Sequence, residues 1–193
     1  GKTHMLKTAK TLAEENGYRV IAVAAYGSQV KAVEEAGVKG YTLASFLAMK
    51  DNPVDSRTIV VLDEAGVVPT RQMEQAMRLI DRRGARMVML GDIQQTKAIE
   101  AGRPFAQLQA KGMQTAVMDE IQRQKDPTLK KAVELAAKGE VAASLSNIRE
   151  IQSIKDMDDR HARIVADYMA LDEKERHSTL VVSGTNEARK NLN

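Results

Sequence analysis

Thr58-Ile59-Val60-Val61-Leu62-Asp63-Glu64 is the stretch on which the reading of this chain turns. Its run of branched aliphatic residues without polar alternation fits a strand buried on both faces, the kind found in parallel sheets covered by helices. The run ends on two adjacent carboxylates. Parallel sheets hold ligands outside the carboxyl ends of their strands. An acid there can hold Mg²⁺ through a shell of water, and the next one can orient a water for attack on a γ-phosphate. The other half of such a site is Gly1-Lys2-Thr3. At the mouth of a helix these three present backbone N–H groups, an ammonium and a metal-binding hydroxyl to phosphates, where the helix dipole also favours negative charge. A Gly-Lys-Thr by itself is equally an ordinary helix start. The order helix, strand, acid-tipped strand is what makes the two halves one ATP site.

Composition fits this architecture. Of 193 residues, 43% are hydrophobic but only 3% aromatic, with ten Met, so Leu, Ile, Val, Ala and Met must fill the core. With 29 basic residues against 26 acidic ones the net charge of +3 leans only slightly towards anionic partners. Zero cysteines exclude disulfides, zinc–thiolate sites and thiol chemistry. His4, His161 and His177 lack metal-ligand spacing. No apolar run reaches the length of a membrane span and no secretory signal opens the chain, so a cytoplasmic protein with no membrane partner is expected.

Working outward, the spacing predicts a helix from Thr3 to Glu15 on a stripe of Leu6, Ala9 and Ala13, stopped by Asn16-Gly17. Strands are predicted at 19–24, 58–62, 86–90, 115–118, 151–154 and 179–183. Helices are predicted over 43–49 and 104–111, over 127–138 and 141–145, and from Asn186. A helix after Pro69-Thr70 carries Met73, Ala76, Met77 and Ile80 at i, i+3, i+4 and i+7. Arg82 and Arg83 in its last turn suit the helix C-terminus. The turn Ala25-Tyr26-Gly27-Ser28 and the cluster Gly91-Asp92-Ile93-Gln94-Gln95 arrive at the same sheet edge as Asp63. Phe105 opens an amphipathic helix and reads as core.

In combination these motifs resemble the first motor domain of a superfamily 1 DNA helicase of the RecD-like branch. Gly1-Lys2-Thr3 resembles the end of motif I, the Ala24 to Ser28 turn motif Ia, and Asp63-Glu64-Ala65 motif II. Gly91 to Gln95 with Ala101-Gly102-Arg103-Pro104-Phe105 resembles motif III and its extension, and Ile121-Gln122-Arg123-Gln124 motif IV. Leu180 to Asn186 with Arg189 resembles the opening of a second motor domain. The wording from Asp63 to Leu145 is most similar to the helicase part of conjugative plasmid relaxase-helicases. Departures are the absence of Pro-Thr-Gly in the Ala25 turn, Ala44 where a His is common, and Thr96 where a Leu is common.

The resemblance implies an α/β fold, a RecA-like P-loop core whose parallel sheet has helices on both faces. Residues 1–148 would form the first motor domain, lacking its N-terminal strand and upstream P-loop glycines, and 149–193 the start of the second. It implies ATP and Mg²⁺ as cofactors, with Gly1, Lys2, Thr3 and Asp63 binding nucleotide and Thr3 and Asp63 holding the metal. Glu64 would be the general base, Gln95 the γ-phosphate sensor and Arg123 an arginine contact to the transferring phosphoryl group. Single-stranded DNA would meet Tyr26, Gly27, Ser28, Thr42 and Arg103. Further partners would be the rest of the parent protein, a second motor domain and a relaxase domain. The isolated chain is then expected to hydrolyse ATP slowly or not at all. A repair helicase of the RecD type and a catalytically silent scaffold on the same fold are the alternative readings.

Overall fold

The computed structural model describes residues 2–93, 102–118 and 124–192, without the side chains of 2–4. The chain divides into two compact units, 1–123 and 124–193. This division falls before the boundary near 148 expected from sequence.

The first unit is built on a sheet of four parallel strands in the order β2-β1-β3-β4. They are β1 (Arg19–Ala24), β2 (Lys39–Thr42), β3 (Thr58–Asp63) and β4 (Arg86–Met89). Helices α1 (Lys2–Glu15), α2 (Gly27–Glu35), α3 (Leu43–Ala48) and α4 (Thr70–Arg82) connect and cover them. Alternate residues of the two inner strands serve opposite cores. Ile21, Val23, Val60 and Leu62 face Leu43, Phe46, Met73, Ala76 and Ile80. Val20, Ala22 and Val61 face Leu6, Val33 and Val38. Two buried faces explain why the β1 and β3 sequences read as unbroken apolar runs. Each large side chain fully buried here contributes about 1.5–3 kcal/mol relative to exposure.

The helix predictions hold with local adjustments. On α4 the buried residues are Met73, Ala76 and Ile80, while Met77 stands 37% exposed at the margin of the stripe. On α1 Leu6 is buried, Ala13 half-buried and Ala9 exposed, so its contact is narrower than expected. Gly17 ends α1 with φ +73, as a left-handed stop should.

The strand predictions are corrected in both directions. Residues 115–118, 151–154 and 179–183 form no strand. Val117, Leu180 and Val182 are about four-fifths exposed. An apolar run becomes a strand only where a neighbour supplies ladder hydrogen bonds, and no described strand lies beside these. Conversely, Lys39-Gly40-Tyr41-Thr42 forms β2, which sequence reading took as the approach to a helix. Gly40 makes this edge strand possible. A Cβ there would lie 2.9 Å from Val30 Cγ1 and 3.1 Å from Val33 Cγ2, so the missing side chain lets α2 lie down on β2.

The amino ends of the strands are fastened by Asp55. Thr58 Oγ1 donates to its Oδ1 at 2.7 Å, the Arg57 N–H donates to the same atom, and Arg19 Nη2 reaches Oδ2 at 2.9 Å. The Thr58 hydroxyl, then the Arg57 amide and the Arg19 charge, outweigh desolvation and hold this carboxyl below the ordinary carboxylate range. Since the folded value is depressed, the stabilisation is complete above the ordinary carboxylate range and fades as the pH falls through the folded value. Asp55→Asn should therefore lower the melting temperature at neutral pH, and the gap to wild type should close in acid. A gap independent of pH would show that the carboxylate charge contributes nothing.

The second unit contains α6 (Pro127–Ala137), α7 (Val141–Leu145), α8 (Met157–Ala170), α9 (Glu173–Ser178) and α10 (Asn186–Leu192); α5 (Pro104–Ala110) belongs to the first. Asp126, Asp156 and Asp172 cap α6, α8 and α9 by accepting N–H bonds from the first turns. Ser144 Oγ donates to Ala132 O at 2.8 Å and ties α7 to α6. No helix among the described residues is long and apolar enough to cross a membrane.

Candidate nucleotide site at the carboxyl ends of the strands

The ladder brings the predicted polar clusters to one edge. Ala24, the last residue of β1, is in register with Thr42 of β2 on one side and Asp63 of β3 on the other. The Tyr26-Gly27-Ser28 turn, Thr42, Asp63-Glu64 and Gly91-Asp92 therefore all follow carboxyl ends of adjacent strands. α1 reaches the same level. Its 14 residues span about 21 Å, and the six residues of β1 span about 20 Å. A helix that packs on β1 and enters it through the short turn Asn16-Gly17-Tyr18 runs back along the strand, which puts its first turn, with Lys2, beside the strand ends. Gly1 and the side chains of Lys2 and Thr3 lie outside the described residues, as do Gln95 and Arg123.

Asp63 and Glu64 are half-buried, and Asp63 Oδ1 accepts the Glu64 N–H at 3.0 Å. Glu64 has φ 51 and ψ 44, left-handed and unique among the described non-glycine residues. Such a conformation costs on the order of 1–3 kcal/mol and persists where the surroundings over-determine it. Here they do. The Ala65 N–H donates to Leu90 O at 2.8 Å, the Leu90 N–H to Leu62 O at 2.8 Å, and the Val67 N–H to Glu64 O at 3.0 Å. The short 3-10 turn Ala65–Val67 is thereby clamped onto the end of β4.

Two glycines make this clamp. A Cβ on Gly66 would lie 2.7 Å from Asp92 O, and one on Gly91 would meet Gly66 N at 3.0 Å, Phe105 Cε1 at 3.0 Å and Ala65 N at 3.2 Å. Phe105, 5% exposed, closes the junction from α5, as its reading as core expected. Sequence reasoning quoted Gly91 and Phe105 for other reasons and missed Gly66. The available signal was a glycine three residues after the strand's terminal acid, where only close backbone approach requires one.

The DNA candidates are dispersed along the edge. Tyr26 is 53% exposed and precedes α2; Gly27 and Ser28 open that helix in solvent. The Thr42 hydroxyl accepts the Ser45 N–H at 3.2 Å and so caps α3. Arg103 is exposed and directly precedes α5.

Phosphate and a divalent ion suit this edge chemically. The first turn of a helix offers N–H groups without intrahelical partners, and α1 has no acid in its first turn to repel an anion. No three metal-ligating side chains meet among the described residues. A Mg²⁺ ion would thus be held by Asp63 and a hydroxyl, with phosphate and water completing its preferred six oxygens.

A parallel sheet with helices on both faces and an acid-tipped central strand beside a helix N-terminus is the arrangement of a RecA-like P-loop fold. The sequence profile of the family described as "AAA domain" matches residues 1–159, and the chain belongs to that family. It is 37% identical over 153 residues to a conjugal transfer protein TraA of Rhizobium radiobacter, covering 77% of this chain and 14% of that protein. It is also 32% identical over 156 residues to the multifunctional conjugation protein TraI of Escherichia coli K12, covering 77% of this chain and 9% of that protein. Among solved structures it is similar to a Bacteroides Pif1 bound to ssDNA. That match has a TM-score of 0.52 at 18% identity and covers 90% of this chain and 51% of that one. The chain thus spans about a seventh or less of the length of these conjugation proteins.

Proposed function

We propose that this chain is the nucleotide-hydrolysing part of an ATP-driven motor that moves along single-stranded DNA during conjugative transfer. The observation that carries the reading is the clamped, left-handed Glu64 beside Asp63, at the edge where α1 begins. In this reading Lys2 and the first-turn N–H groups of α1 bind the β- and γ-phosphates, and Thr3 and Asp63 hold Mg²⁺. Mg²⁺ held there would supply positive charge against that developing on the phosphoryl oxygens. Glu64 takes the proton of the attacking water, Gln95 registers the γ-phosphate and Arg123 contacts the transferring group. Tyr26, Gly27, Ser28, Thr42 and Arg103 touch DNA, through phosphate contacts and stacking that discriminate little among bases.

Residues 1–148 act as the first motor domain and 149–193 as the opening of the second, with a relaxase domain elsewhere in the parent protein. Translocation needs two domains that close on nucleotide and reopen after hydrolysis. The isolated chain therefore turns over ATP slowly or not at all. The names of the conjugation relatives and of the DNA-bound neighbour support this reading. The test is thermal shift by Mg·ATP in the protein that carries this segment. ATP should raise its melting temperature, and Lys2→Ala should abolish the rise. An undiminished rise in the variant, or none in the wild type, refutes the reading.

A further inference from the structure

At the opposite end of the sheet, about 20 Å from the nucleotide edge, three arginines stand at the starts of three adjacent strands. Arg19 opens β1, Arg57 directly precedes β3, and Arg86 opens β4; Arg19 is in register with Thr58 and Arg86 with Ile59. Neighbouring strands are about 4.8 Å apart, so the three guanidiniums belong to a row roughly 10 Å long at its backbone.

Their partners differ. Arg19 is neutralised by Asp55, and its Nη2 also donates to Pro53 O at 2.7 Å. Arg57 and Arg86 instead lie over the Tyr18 ring, with their central carbons 5.5 and 4.5 Å from its centroid. Both are exposed, and among the described residues neither is within ion-pair distance of a carboxylate. The nearby Glu14 is committed to Lys10 at 3.3 Å. Glu14, Gly17, Tyr18, Arg19, Asp55 and Arg57 line a depression of about 380 Å³, its two carboxylates being those paired with Lys10 and Arg19.

Cation–π attraction to the ring holds a guanidinium in place but leaves its N–H donors available. A free, planar and permanently charged fork matches a phosphate in a bidentate way. The ring itself, already covered by cations, is not a platform for bases. The cluster can therefore read a backbone but no sequence. Two unneutralised forks on adjacent strands fit neighbouring phosphates of one backbone.

We propose that Tyr18, Arg57 and Arg86 form a second contact for a nucleic-acid phosphate backbone, remote from the nucleotide edge. The inference rests on the DNA reading above for the class of polymer.

The test is fluorescence anisotropy of the 193-residue chain with a labelled oligo-dT and with a hairpin duplex, over a range of salt. Arg57→Ala/Arg86→Ala should bind about tenfold more weakly at low salt. Its log K against log salt slope should be shallower by about 1.4 for single strands or about 1.8 for duplex; the arm that changes identifies the form bound. Arg57→Lys/Arg86→Lys should keep the slope, because the charges that release counterions remain, but bind more weakly than wild type, because an ammonium lacks the bidentate fork; a purely structural role of the two arginines would not preserve the slope in this way. Melting curves establish that both variants are folded. Unchanged slopes in both arms, or displacement of DNA by polyglutamate at equal charge concentration, overturn the inference. Unchanged slopes together with weakened binding on Arg103→Ala remove the inference but leave the DNA reading standing. Failure of the wild type to bind either DNA removes both.

Discussion

Glu64→Gln is expected to lower DNA-stimulated ATP turnover about 10²–10⁴-fold in the protein that carries this segment, the usual worth of a positioned general base. Nucleotide binding should change little, since an amide fills the same space and makes the same demand on the backbone. Asp63→Ala should differ in kind: if Asp63 holds Mg²⁺ as proposed, its loss weakens Mg·ATP binding as well as turnover. Phosphate-release kinetics alongside equilibrium nucleotide binding separate the two. The contrast follows from where the residues stand: Asp63 is the last residue of β3, while Glu64 sits one step outside in a left-handed conformation held by the Ala65–Leu90 hydrogen bond. Wild-type turnover from the Gln variant would reduce Glu64 to a solvated carboxylate at a strand end.

Gly66→Ala should cost about 1–3 kcal/mol of stability, the scale of overpacking where the obstacle cannot turn aside. Its new methyl would fall 2.7 Å from Asp92 O, a backbone atom that moves only if the end of β4 moves. The same displacement loosens the turn that holds Glu64. Turnover should therefore fall further than the loss of folded protein explains. Chemical denaturation and the rate measured at full folding report the two effects independently. A Gly66→Ala protein with wild-type stability would mean that Gly66 and Asp92 are not in contact.

The centre of the fold was legible because its physics is local. The apolar runs of β1 and β3 are buried on both faces, so their residues carry the signal without reference to any partner. Asp63 and Glu64 could be placed at the sheet edge for the same reason. What sequence could not give depends on neighbours. Lys39-Gly40-Tyr41-Thr42 has weak strand propensity and becomes β2 only because β1 offers a ladder and Gly40 admits α2. Val117 and Leu180 sit in equally strand-like runs that have no described ladder to join. The Gly66–Gly91 contact joins residues 25 apart that nothing in the local pattern links. Tyr18 and its arginines escaped notice for a similar reason, since strand pairing alone brings Arg57 beside Arg86.

The matched spans of α1 and β1 make the helix a ruler between the turn at Gly17 and the carboxyl ends of the strands. Removing one residue inside that helix would shorten it by about 1.5 Å and rotate everything upstream by about 100°. Because Leu6 anchors α1 among Val20, Val33 and Val61, such a rotation would either unseat Leu6 or turn the start of the helix away from the strand ends. Length variation in this part of the chain is tolerable only in Asn16-Gly17-Tyr18, where the measuring stops.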